Sequence, residues 1–96
     1  MEYGKIILNE LDKLQQLLVI TMEECGELTQ ACSKVLRVGS MERSDVIDNL
    51  RSELGDVYCM LDLMVKHNIT TWDDLHNRAK YKTERLKRWS DLIEKT

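Results

Sequence analysis

The sequence predicts an all-α protein: an antiparallel helical bundle of three to four helices, completed by oligomerisation. Three observations lead there. The 96 residues contain no proline and only four glycines. Leu, Lys, Glu, Met and Gln, all favourable in helices, dominate the composition. Apolar residues recur with the 3-4 spacing of helix faces. A chain of this length fits one domain, 1–96, with a modest core.

From Lys5 to Val38 only Gly26 disfavours a helix. The spacing therefore predicts one long helix, or two with a joint near Asp12 to Gln16. "VGSMERSD" (38 to 45) is the first loop, with a stop at Gly39 and a restart at Ser40 or Ser44. The next helix reaches Asn68, a residue tolerant of left-handed backbone. Thr70 or Thr71 then caps a last helix that carries Asp73 and Asp74 in its first turn and runs from 72 to about 94. Short loops between such helices imply antiparallel neighbours.

No stretch approaches the roughly 18 consecutive apolar residues of a membrane helix, and the N-terminus has no signal-peptide pattern. A cytoplasmic protein is expected, in the host cytoplasm if phage-encoded. The cysteines at 25, 32 and 59 lack C-x-x-C spacing. Cys25 and Cys32 lie about 10 Å apart along a helix axis, too far to bridge. They are expected to be reduced and packed as small apolar residues.

The net charge of -3 conceals an asymmetry. Residues 76–96 hold seven basic side chains against three acidic ones, a local +4, which leaves -7 for residues 1–75. A basic last helix suits an anionic ligand or a solvated face. It also admits a different class of function, a helical module binding nucleic acid or protein. An overall pI near 5.4 argues against nucleic acid.

The acids break the core stripes. Leu17, Ile20 or Thr21, Glu24, Glu27 or Leu28, Ala31, Lys34 or Val35 and Val38 follow one helix face. Val46, Leu50, Glu53 or Leu54, Val57, Met60 or Leu61 and Met64 follow another, with Asp56 flanking it. Pairs at i, i+3 are neighbours on a helix surface, so Glu24 with Glu27, and Glu53 with Asp56, each form a two-carboxylate claw. Four carboxylates near an apolar interior repel one another and resist desolvation. A hard divalent cation resolves this, and all-oxygen ligation selects magnesium or manganese over zinc. A di-iron bundle would need Glu-x-x-His on two helices, whereas Met64 and Asp73 precede His67 and His76. The plain alternative is that the acids form surface ion pairs with residues such as Lys34 or Arg51.

"EECGE" (Glu23, Glu24, Glu27) followed after 25 residues by "ELGD" (Glu53, Asp56) resembles the E-E-x-x-E…E-x-x-D signature of the MazG-like all-α nucleoside triphosphate pyrophosphohydrolases. The similarity includes "ELTQACSKVLR" and spans about residues 15 to 90. It implies cleavage of a nucleoside triphosphate, with a dNTP favoured, into monophosphate and pyrophosphate. Mg2+, or Mn2+ as a substitute, would be held by Glu24, Glu27, Glu53 and Asp56. Glu23 and Glu24 would be catalytic, Glu23 by acting on the attacking water or holding a further ion. Family members of this size resemble homodimers or homotetramers. Lys34, two turns after Glu27, is the first candidate for the distal phosphates, and Lys80 and Arg85 resemble the family's C-terminal basic segment. There this chain departs from the family: Glu84 stands where asparagine is expected four residues after Lys80, with Asn77 as a possible substitute. Tyr58, Trp72 and Trp89 suit either stacking on a base or closing a core or an interface.

Overall fold

The computed structural model describes residues 11–39 and 42–94. Among them there are three helices and no strand: α1 (Lys13–Val38), α2 (Ser44–Lys66) and α3 (Trp72–Leu86). The all-α expectation holds. By its contacts the chain forms two compact units that meet between Met64 and Val65. The first contains α1 and nearly all of α2; the second contains α3.

The start of α1 follows from a reciprocal cap. Asp12 Oδ1 accepts from the Gln15 amide at 2.7 Å, and Gln15 Oε1 accepts from the Asp12 amide at 3.1 Å. Two otherwise orphaned donors are thereby satisfied. The predicted joint at 12 to 16 is thus a helix start; the expected helical residues from Lys5 to Glu10 lie outside the described residues. At the other end Gly39 adopts φ 73° and its amide reaches the Val35 carbonyl at 2.9 Å, the left-handed stop predicted there.

Ser44 is the first residue of α2, and the Arg43 carbonyl accepts the first helical bond from Ile47. Arg43 also forks onto Asp45 at 3.2 and 2.8 Å, which holds the Asp45 carboxyl below its usual range. Ser40, the other predicted start, lies outside the described residues. α2 gives way to a turn with Asn68 at φ 62°, as its tolerance of that region predicts.

α1 and α2 form an antiparallel hairpin. Residues whose numbers sum to about 80 stand at the same height: Glu27 with Glu53 and Glu24 with Asp56, while Ala31 and Asn49 share the wall of one groove. Among the described residues, Leu17, Ala31, Val46, Ile47 and Met60 are the buried hydrophobic ones. All but Ile47 belong to the predicted stripes. The cysteines depart from expectation: all three are free thiols, but exposed rather than packed. Cys25 and Cys32 sit about a quarter turn off the inner face of α1, on a flank that the hairpin leaves open.

Thr71 caps α3, its Oγ1 accepting from the Asp74 amide at 3.1 Å. The helix ends at Leu86, not near 94. The Leu86 carbonyl takes the amides of Trp89 and Ser90, and Ser90 Oγ accepts from the Leu92 amide at 3.1 Å. The amides after the helix fold back on its last carbonyl and on the Ser90 hydroxyl, a local turn in place of the predicted continuation to about 94.

Candidate metal centre

Glu24 and Glu27 project from the middle of α1, Glu53 and Asp56 from the middle of α2. One carboxylate oxygen from each lies within 4.8 Å of the other three. Glu24, Glu27 and Glu53 are half-buried and Asp56 is exposed at the edge, which matches its flanking position in the sequence pattern. The four predicted ligands therefore converge. The ion-pair alternative loses both of its candidate partners: Arg51 pairs with Asp48 at 3.2 Å, and Lys34 enters no ion pair among the described residues.

The Oε2 atoms of Glu24 and Glu53 are buried and have no hydrogen-bond partner. Burying an unpaired charged oxygen is costly. Burial first, and then the charges of Glu27, Asp56, Glu53 and Glu23, push the Glu24 carboxyl above its ordinary range. Glu53 is raised by burial and then by Glu27. These groups are held in a place that favours their neutral form, and a cation would reverse that preference.

The residues fit a hard divalent ion. The donor set is entirely oxygen, the ligand type that Mg2+ and Mn2+ prefer, and one oxygen from each residue already lies within 4.8 Å of the others. Among the described residues no thiolate or imidazole joins the cluster.

Glu23 precedes Glu24 on α1 and stands outside the four, close enough to raise Glu24 electrostatically. Lys34 lines an open groove of about 760 Å³ that begins at Glu27 and Glu53 and continues past Ala31 and Asn49 to Arg37. Arg37 and Asn49 went unnoticed in the sequence. The available signal was the i, i+3 spacing of Lys34 and Arg37, which continues the face of Glu27 toward the helix end.

Lys80 and Arg85 belong to α3 in the second unit. Lys80 lines a shallow cavity with His76, Ala79, Thr83 and Glu84. Arg85 donates to the Tyr81 hydroxyl at 3.1 Å, and the guanidinium of Arg78 lies 4.4 Å from the centre of the same ring. Lys82 lies 5.3 Å from the ring centre of Trp89, and Lys87 pairs with Glu84. Much of the predicted basic surface is thus engaged within its own helix and the turn after it. Tyr58 and Trp89 are exposed and Trp72 is half-buried.

Fold and site together define an all-helical protein whose central hairpin presents a four-carboxylate cluster suited to a divalent cation. The cluster is compatible with the acid pattern of the MazG-like signature. No family model, curated protein or solved structure matches the chain.

Proposed function

We propose that the protein is a magnesium-dependent nucleoside triphosphate pyrophosphohydrolase, a hydrolase acting on acid anhydrides that converts a (d)NTP to (d)NMP and pyrophosphate. The observation that carries this reading is the meeting of the E-x-x-E and E-x-x-D acids on one hairpin, with two buried oxygens lacking any protein donor.

Glu24, Glu27, Glu53 and Asp56 would hold Mg2+, or Mn2+ in its place. When bound, the ion offsets charge on the phosphate oxygens and acidifies water. Water forms a bond to the α-phosphorus while the α–β bridging P–O bond breaks, its electron pair leaving on the pyrophosphate oxygen. The proton of the attacking water passes to Glu23, the acid beside the cluster. Lys34 faces the charge of the distal phosphates. For Lys80 and Arg85, as for the preference for a deoxynucleotide, the reading rests on the resemblance alone. A homodimer or homotetramer in the cytoplasm belongs to the same reading.

The test is pyrophosphate release from a panel of NTPs and dNTPs with Mg2+ or Mn2+. Glu24→Gln and Glu53→Gln are each expected to lose about 100-fold or more, because every 1.36 kcal/mol of lost transition-state stabilisation is tenfold in rate. Equal activity in wild type and both variants would sink the metal assignment. Turnover of no member of the panel would remove the function, and a salt-sensitive electrophoretic shift with nucleic acid would replace it.

A further inference from the structure

The carboxylate cluster has two ends along the hairpin, and they differ. Toward the α1–α2 turn the groove of about 760 Å³ leaves Glu27 and Glu53 and passes Ala31, Lys34 and Asn49 to Arg37. Lys34 and Arg37 are exposed, and neither enters an ion pair or a hydrogen bond among the described residues. Arg43, Arg51 and Lys87 by contrast each take a carboxylate within three residues. Two uncommitted cations at i, i+3 lie on one surface of α1, about one turn apart. The Asn49 side chain, which can both donate and accept, joins them from α2.

We propose that this turn-proximal groove is the subsite for the diphosphate end of the substrate, with Arg37 as its anchoring residue. The inference rests on the hydrolase reading of the neighbouring acids and adds a direction to it. The reacting phosphorus lies over the carboxylates, the β and γ phosphates run toward the turn, and the nucleoside lies on the opposite side. Charge decides the polarity. A polyphosphate tail repels bare carboxylates and is drawn to an unpaired guanidinium, which can bind phosphate oxygens in bidentate fashion. Lys34 adds a point charge between Arg37 and the acids. After cleavage the same contacts hold the pyrophosphate, so its release is governed by the same two side chains.

The experiment is isothermal titration of wild type, Arg37→Ala, Arg37→Lys and Lys34→Ala with inorganic pyrophosphate in Mg2+, and separately with a nucleoside monophosphate. Triphosphate kinetics on the same proteins complete it. Arg37→Ala is expected to weaken pyrophosphate binding by about tenfold or more, the worth of one charge-assisted contact. Triphosphate KM should rise in parallel while monophosphate affinity stays at the wild-type value. Arg37→Lys should recover part of the loss. Wild-type turnover together with unchanged pyrophosphate affinity in Arg37→Ala overturns the subsite and leaves the hydrolase reading standing. A parallel loss of monophosphate affinity also overturns it, because the effect would then be general. A wild type that turns over no triphosphate overturns both.

Discussion

At the scale of single residues, Glu24 and Glu53 stand in core stripes where a carboxylate is costly, and both meet two further acids there. Both carboxyls are raised above their ordinary value near 4.5, chiefly by burial and then by their acidic neighbours. A raised folded-state pKa means that the folded protein binds protons more tightly than the unfolded chain. Its contribution to stability is full below the unfolded value and is lost as pH rises through the folded one. Without a cation, then, the contribution of these two carboxyls to stability falls from about pH 4.5 upward. A bound divalent ion offsets that loss where the carboxylates are charged and competes with protons where they are not. Thermal melts should therefore show a Mg2+-induced rise on the order of 10 °C near saturation at about pH 7.5, shrinking toward pH 5. In EDTA at the higher pH, Glu24→Gln should melt above wild type and lose the response to Mg2+. A wild-type melting temperature indifferent to Mg2+ at both pH values would show that the cluster holds no such ion.

At the scale of helices, the ends are set by residues whose conformational chemistry is local. Gly39 sits at φ 73°, and a Cβ built there meets nothing within 4 Å. Gly39→Ala should therefore lower stability through backbone strain alone, by about 1 kcal/mol. Thr71→Ala should cost a similar amount, about 1 kcal/mol, by removing the acceptor of the Asp74 amide. Urea unfolding followed by circular dichroism measures both; an unchanged midpoint for Gly39→Ala would remove its role as the stop of α1. Gly39, Asn68 and Thr71 were legible in the sequence because each acts through its own backbone or its nearest amides. The claws were legible because i, i+3 spacing fixes neighbours on a helix, and two short-linked helices must bring their inner stripes together. What was not legible depended on competition or context. The stop of α3 at Leu86 and the turn that follows it carry no glycine or proline to announce them. The exposure of Cys25 and Cys32 depends on which flank of α1 receives a neighbour. Arg37 stands in a last turn, where a cation is favourable in any case, so only the groove distinguishes it.

At the scale of the whole molecule, the two outer flanks of the hairpin differ in chemistry. Leu14, Leu18, Met22 and Leu36 on α1 and Leu54, Tyr58 and Leu61 on α2 are exposed, Met22 to 67% and Tyr58 to 61%. On each helix these residues follow the inner stripe by roughly 100° in the direction of the chain. Because the helices run antiparallel, the two sets open on the same side of the hairpin. The opposite side carries Lys34, Arg37 and Asn49. An apolar face this continuous, beside so few buried hydrophobic residues among those described, favours covering by a second copy. The groove side then stays open to solvent. The 11.3 kDa chain should sediment at an integral multiple of its mass, with a melting temperature that rises with concentration. Leu18→Glu and Leu61→Lys, on different helices of the same face, should each shift the population toward monomer and lower the melting temperature. Arg37→Ala, on the opposite side, should leave the mass unchanged. A wild type that sediments as a monomer at high micromolar concentration would refute association through this face, and dissociation by Arg37→Ala but not Leu18→Glu would move the interface to the groove side.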